Sequence, residues 1–351
     1  MTSSQAATAT GGQDRAALDR AMAEQGLAAL WKVYDKLVTK EPAGAVPSHI
    51  WRWRDLAPLV EMAAASVTGH DADHRVLVLT NPHLQGRFAS VTNIVGAVQC
   101  VLPGERTSPH RHTPAAVRIV FEGRGGGTFV DGQRCDMYDG DLIVTPNWTW
   151  HCHDNDSQAR AVWLDILDVP MVKAFDNIFG DKGPPADYPV NLSTLPDPLF
   201  AAGGLLPVSD RPAVPYTTRF RYPWRDVVAV LASLPQAADG TRMMRYANPA
   251  DGGPVTPTLD AYVIELAPGR ASTKVRSSAG TLAVVVEGSG ESTIGAVTQR
   301  WQTHDVFTLP EWQWVSHKAE GGPARLILIT DREVRRRLGL LREERGGPDA
   351  A

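Results

Sequence analysis

The sequence predicts a mainly β protein: two β-barrel or sandwich units, preceded by helices and followed by a short carboxyl-terminal helix. Two observations predict it. Beyond Arg75 the chain breaks into short β-prone runs such as "RVLVL", "VRIVF", "DLIVTP" and "AVWLDIL", separated by Gly, Pro, Asn and Asp. The chain also repeats itself about 165 residues apart. Gly104 in "LPGE" matches Gly269 in "APGR", Gly123 matches Gly288, and "DLIVTPNWTW" from Asp141 matches "DVFTLPEWQW" from Asp305. A length of 351 residues with 43% hydrophobic side chains suffices for two modest cores.

The elements follow in order. Residues 1–13 are Ser, Thr, Ala and Gly with nothing to bury, and are expected to form a disordered tail. Residues 14–74 form a helical segment. From Asp14 to Lys40, Leu27, Leu30, Trp31, Tyr34, Leu37 and Val38 recur at helical spacing before Pro42 stops the run. Ile50 to Val67 reads as a second helix, broken near Pro58 because an internal proline removes one hydrogen bond and crowds the preceding turn. Residues 75–183 make the first β-unit. Residues 184–257, rich in proline, read as a linker region with one helix near Trp224 to Leu234. Residues 258–331 make the second β-unit. Residues 332–351 hold a charged helix and tail, the arginines of "REVRRRLGLLREE" forming a solvated face.

Bulk properties narrow the function. A net charge of −4 gives no basic field for a phosphate backbone, so a small molecule is expected as partner and nucleic acid is not. No apolar leader and no run of membrane-spanning length occurs, which excludes a membrane partner from the expectation. Cys100, Cys135 and Cys152 are too few and too oddly spaced for a disulfide framework, as fits a reducing cytoplasm; Cys152 is read as a small buried side chain.

Candidate chemistry concentrates in the first β-unit. Gly104, His110-Arg111-His112 and Gly123 are followed by Gly140, Pro146, His151 and Asn155. These spacings resemble the two motifs of the cupins, small β-barrels of the double-sheet, jelly-roll kind. Two such units make the chain a bicupin. The usual cupin glutamate falls at Ala116, so the expected metal site is His110, His112 and His151 with no carboxylate. Alternate residues of a strand share a face, so His110 and His112 project together and His151 completes the set. Three imidazoles on one side of an ion leave the opposite positions free, which suits Fe(II) binding substrate and dioxygen together.

The second unit supplies an internal control. Val275, Ser277 and Val315 occupy the places of the three histidines, and no metal is expected there. His317, matching His153, is read as structural. In the first unit, Arg118 lies an even number of residues from His110 and His112 and is expected to share their interior, where it needs an anion: a substrate carboxylate, or an internal acid. Gln99 stands either beside it or on the surface. Asp165, in the apolar run "VWLDIL", must meet a substrate hydroxyl or Arg118 itself. Trp148 and Trp150 are read as barrel packing, because Trp312 and Trp314 stand at the matching places.

With these residues in hand, the chain resembles the gentisate 1,2-dioxygenase family, bicupins that include salicylate 1,2-dioxygenase and 1-hydroxy-2-naphthoate dioxygenase. The likeness runs over residues 27 to 335, carried by "LAALWKVYDKLVTKEP", "WRWRDLAPLVEMA", "RVLVLTNP", "LPGERTSPHRHTPAAVRIVFEGRG" and "GDLIVTPNWTWHCHDN". The resemblance implies an Fe(II)-dependent, extradiol-type dioxygenase that adds both atoms of O2 to an aromatic 2-hydroxycarboxylate and opens the ring between the carboxyl- and hydroxyl-bearing carbons. On that likeness His110, His112 and His151 hold the iron, Arg118 and Gln99 receive the carboxylate, His153 and Asp165 line the pocket, and the chain forms a homotetramer. Where the family often shows "LWAAIQ", this chain has "IVGAVQ", setting Ile94, Val95 and Gly96 at or near the pocket. That difference puts a 5-substituted salicylate, such as 5-nitrosalicylate, beside gentisate as expected substrate. A metal-dependent bicupin isomerase or decarboxylase and a cupin ligand sensor are the rival functions.

Overall fold

The structure is a computed structural model and describes residues 6–42, 46–68, 73–183, 219–346. The first five residues, most of the proline-rich stretch and the last five residues lie outside it. The chain divides into a small unit, residues 1–43, and a large one, residues 44–351.

The small unit departs from the sequence expectation at both ends. Its helix, Ala6–Glu24, begins inside the stretch expected to be disordered and stops at Gly26, whose φ of 67° is left-handed. Beyond it a 3-10 turn (Leu30–Lys32) and a four-residue helix (Tyr34–Leu37) replace the single long helix expected to Lys40. Leu27, Leu30, Trp31, Tyr34, Leu37 and Val38 are all exposed.

The large unit is β-rich, as expected. In the first barrel one sheet holds, in order, β12 (Arg221–Tyr222), β8 (Leu142–Thr145), β5 (Ala116–Glu122), β10 (Ala161–Leu167), β3 (Val95–Val101) and β2 (Val76–Leu79). The facing sheet holds β11 (Gly180–Lys182), β4 (His110–His112), β9 (His151–Asp154), β6 (Arg124–Val130) and β7 (Gln133–Tyr138). Between β5 and β6 sits Gly123, where a Cβ would come 2.5 Å from the Met137 carbonyl oxygen, so only glycine allows the chain to change sheets there.

The second barrel is one nine-stranded sheet. Its β16 (Thr281–Ile294) and β19 (Val315–Thr330) run unbroken where the first barrel uses β5 with β6 and β9 with β10. Two strands extend it beyond the expected boundaries. The strand β13 (Thr241–Tyr246), inside the supposed linker, pairs along its whole length with β14 (Asp260–Leu266). The strand β20 (Glu343–Gly346), expected as helix, pairs with β15 (Lys274–Ser277). The carboxyl-terminal helix is only Arg332–Arg337, and its arginines are ion-paired: Arg332 with Glu343, Arg335 with Asp331, Arg336 and Arg337 with Glu333.

Each barrel also borrows a segment from the other half of the chain. The strand β1 (Ile50–Trp51) pairs with β18 (Val306–Leu309) of the second barrel, and the helix Trp53–Ser66 follows it. The strand β12 pairs with β8 of the first, and the helix Trp224–Ser233 follows it. The repeated aspartates fix both joins. Asp305 accepts the Trp53 backbone N–H and Asp141 accepts the Trp224 backbone N–H, each at 2.8 Å, where a helix start leaves its first donors unsatisfied. The first of these helices runs through Pro58 unbroken, because Leu56, Val60 and Ala64 bury a continuous stripe that outweighs one lost hydrogen bond at an exposed position.

The largest core lies between the barrels. One face of the first barrel's six-stranded sheet, including Val98, Ile119, Phe121, Leu164 and Ile166, joins Leu282, Val284 and Ile327 of the second in a single cluster. The opposite face of that sheet turns inward, and there the chemistry sits.

Candidate metal centre and its pocket

The strand β4 alternates His, Arg, His, which sets the histidines on one face and the arginine on the other. His110 and His112 point into the first barrel with their ring centroids 5.8 Å apart. Arg111 points the other way, its guanidinium 4.3 Å from the Trp148 ring and 4.9 Å from Trp150, and pairs with Asp181 of β11 at 2.7 Å. The two tryptophans therefore hold the edge of the sheet through Arg111 and do not fill the barrel. His151, at the start of β9, stands directly across from His110 in the ladder. A tight turn at Trp148, whose φ is 61°, delivers it there, tied by the Trp148 N–H to the His112 carbonyl at 2.9 Å.

The three imidazoles converge. One nitrogen from each lies within 4.8 Å of the others. Every Nδ1 is within hydrogen-bond distance of a backbone carbonyl two residues away: His110 to Ser108 at 2.9 Å, His112 to Pro114 at 2.8 Å and His151 to Thr149 at 2.9 Å. A carbonyl oxygen can only accept, so each Nδ1 carries the proton and each Nε2 keeps its lone pair. Burial also keeps the rings neutral. It lowers His110 to about 4, lowers His112, and with the neighbouring imidazoles holds His151 well below the ordinary value. Three neutral, pre-oriented imidazoles are a donor set for a divalent transition metal, and the carbonyls supply the outer hydrogen bonds such ligands use.

Arg118 does share this interior, though not for the reason its spacing suggests. The strands β4 and β5 belong to different sheets, so parity does not carry from one to the other. Its own ladder places it: Arg118 lies opposite Asp165, the two side chains 2.8 Å apart and both buried. Its Nη1 reaches across the barrel to the Thr128 hydroxyl of β6 at 3.3 Å. The ion pair is close but poorly aligned, and both Arg118 Nε and Asp165 Oδ1 remain buried without a hydrogen bond of good geometry. Trp163 donates its Nε1–H to the other oxygen of Asp165 at 2.8 Å. Burial raises the Asp165 carboxyl even so.

His153 and Gln99 face the same interior as Arg118. Thr128 Oγ1 accepts from Arg118 at 3.3 Å, donates to Met137 Sδ at 3.4 Å and stands 3.1 Å from His153 Nδ1. Burial, then the charge of Arg118, keeps that ring neutral. Gln99 is buried opposite Trp163, on the face shared by Arg118 and Asp165. Its neighbours divide differently from the expectation. Ile94 belongs to the core between the barrels, and a Cβ on Gly96 would meet Leu282 of the second barrel at 2.9 Å. By strand alternation Val95 alone of the three faces the pocket. Cys152 is buried, as read from the sequence.

Sequence reasoning missed Thr128 and Trp163, which hold His153 and Asp165 in place. The signal for Trp163 was there, two residues before Asp165 on the same strand face. For Thr128 there was none without the pairing of β6 with β9.

Residues 97–167 match the family model described as "Cupin domain". The chain is 35% identical to gentisate 1,2 dioxygenase 1 of Aquipseudomonas alcaligenes, over 91% of this chain and 93% of that protein. It is 34% identical to the 5-aminosalicylate 1,2-dioxygenase of a Comamonas species, over 94% and 90%. The crystal structure of salicylate 1,2-dioxygenase from Pseudoaminobacter salicylatoxidans with gentisate superposes with a TM-score of 0.87 at 28% identity, covering 95% of this chain and 94% of that one.

Proposed function

The chain belongs to the gentisate 1,2-dioxygenase family, and on that premise we propose that it is an Fe(II)-dependent ring-cleaving dioxygenase of an aromatic 2-hydroxycarboxylate. The ring opens, extradiol-fashion, between the carboxyl- and hydroxyl-bearing carbons of gentisate or a 5-substituted salicylate. The observation that carries the reading is the convergence of three neutral imidazoles whose Nδ1 atoms are pinned to backbone carbonyls.

His110, His112 and His151 would hold the iron. When bound, the ion supplies open positions for substrate and O2 together and a path for electrons between them. The side chains bind and orient. Arg118 has one buried donor, Nε, with nothing to meet, and a substrate carboxylate would accept from it. Asp165 acts through Arg118, holding the guanidinium in place. Gln99 offers an amide on the same face, and Nε2 of His153 is the ring atom left to hydrogen-bond the substrate. Val95 replaces a larger aromatic at the pocket wall, which favours a substrate with a ring substituent at that side. The chain would work as a homo-oligomer, a homotetramer by the family resemblance.

The test is an oxygen-electrode screen of the Fe(II)-loaded protein against gentisate, salicylate, 5-nitrosalicylate, 5-chlorosalicylate and 1-hydroxy-2-naphthoate. Uptake of one O2 per ring opened is expected with at least one of them, fastest with a 5-substituted ring. No uptake with any of the five, together with tight retention of manganese or zinc, would point to an isomerase or decarboxylase instead. Metal analysis of the same preparation is expected to give one ion per chain, since Val275, Ser277 and Val315 leave the second barrel without ligands.

A further inference from the structure

The second barrel holds a cavity of about 440 Å³, open to solvent at one side and of a size suited to a small organic molecule. It is the counterpart of the metal pocket, rebuilt in register. Val275 stands across the ladder from Val315 as His110 stands across from His151. Ala283 stands across from Leu328 as Arg118 does from Asp165. Every ionic or metal-ligating position has become apolar or, at Ser277, a hydroxyl, and most of the replacements line the cavity.

At the place of His153 an imidazole survives. His317 is buried and lines the cavity. Trp301 donates its Nε1–H to the Ser292 oxygen at 2.8 Å, and that hydroxyl stands 2.6 Å from His317 Nδ1. The tryptophan can only donate and Nδ1 is the acceptor within reach, so the serine hydrogen goes to Nδ1 and the remaining proton of the ring sits on Nε2. The first barrel sets a hydroxyl beside an imidazole at the same strand positions, Thr128 beside His153, and Trp301 supplies here the donor that Arg118 supplies there. Among the described residues Nε2 has no partner, and it is the atom left for a ligand.

The walls fix the ligand's character. Ile264, Leu309, Val315 and Leu328 are apolar and at least half buried, and Met243, 50% exposed, extends that surface to the rim. The rim charges are already neutralised in pairs, Arg276 with Glu344 and Arg332 with Glu343, and the Asp239 carboxylate is occupied by Thr241 and Thr273. Arg345 is exposed to water and needs no anion from a ligand. A buried anion would find no cation at the cavity floor, where desolvating it would be costly.

We propose that the second barrel is a non-catalytic binding site for a small uncharged aromatic molecule of the phenol class, its oxygen accepting a hydrogen bond from His317 Nε2 and its ring packed against Ile264, Val315 and Leu328. The site stands independently of the first barrel's reaction, since a phenol lacking the adjacent carboxylate cannot chelate a metal as the proposed substrates would.

The probe is 4-iodophenol, followed by calorimetry on the full chain and by iodine anomalous scattering from crystals. One molecule is expected in the second barrel with its oxygen on His317 Nε2. The variant His317→Leu should weaken binding about tenfold, the loss of one neutral hydrogen bond. Met243→Trp, which narrows the mouth without touching the hydrogen bonds of His317, should weaken it about fivefold or more, and decides the matter alone if His317→Leu does not fold. An iodine peak elsewhere only, no peak at all, or affinity unchanged in the deciding variant overturns the proposal.

Discussion

Substituting His151 with alanine is expected to leave a folded chain that retains no iron and opens no ring. Losing only a hydrogen bond that supports a ligand costs about 10–100-fold in metal affinity. Losing one of three ligands should exceed that, so that metal content after gel filtration falls to background. His110→Ala should behave alike, because the two rings face each other across one ladder position, 4.2 Å between centroids. The control is Val315→Ala, at the matching position of the second barrel, which should leave iron content unchanged. Full iron content in His151→Ala, measured by plasma emission on protein shown folded by circular dichroism, would remove His151 from the site.

The second large effect is on stability. Arg118→Met should lower the unfolding free energy by about 3–5 kcal/mol, the usual penalty for leaving one member of a buried ion pair alone. Both side chains are almost fully buried, 3% and 9% exposed, so solvent screening does little to soften it. The double variant Arg118→Met, Asp165→Leu should recover much of the loss, because the second barrel already packs Ala283 against Leu328 at the same ladder position. Urea unfolding of the single and double variants measures both numbers. The double variant should still fail to open rings, since restoring packing does not restore the donor for a substrate carboxylate. Equal loss of stability in single and double variants would mean that the pair is not the unit the geometry describes. If the double variant turned over carboxylated substrates with unchanged kcat/KM, Arg118 would have no part in binding them.

Much of this site was legible in the sequence because its parts are local. A one-residue spacing in a strand places His110 and His112 on one face, and the repeat identified Val275, Ser277 and Val315 as their lost counterparts. What was not legible depends on which strands are neighbours. Parity between His110 and Arg118 fails because the chain changes sheets between them, and Thr128 enters the pocket only through the pairing of β6 with β9. Gly96 was set at or near the pocket together with Val95; alternation along the strand turns it to the other face, where its missing side chain makes room for Leu282. The helices were misjudged where propensity and packing compete. The exposed apolar run from Leu27 to Val38 has helical spacing yet forms only two short turns, whereas the helix holding Pro58 survives on its buried stripe.

The exchange of segments between the two halves was also hidden, although a signal for it exists. "WRD" occurs at Trp53 and again at Trp224, each time just after a short strand and at the head of a helix anchored by the repeated aspartate of a barrel. That pairing makes the barrels one folding unit: removing residues 46–68 would strip a strand from the second barrel and leave Asp305 buried without its helix. The loss of ligands in the second barrel is therefore compatible with its being indispensable to the first.

The central claim is that one ion is held by Nε2 of His110, His112 and His151, with no further protein ligand, so that the remaining positions face the pocket of Arg118 and His153. A crystal structure of the Fe(II)-loaded protein, with diffraction recorded on both sides of the iron edge, tests it directly. The expected result is a single anomalous peak in the first barrel, about 2.0–2.2 Å from each of the three Nε2 atoms and open toward Arg118. A peak bonded through any Nδ1, a fourth side chain closing the site, or a second peak of equal height in the other barrel would contradict it.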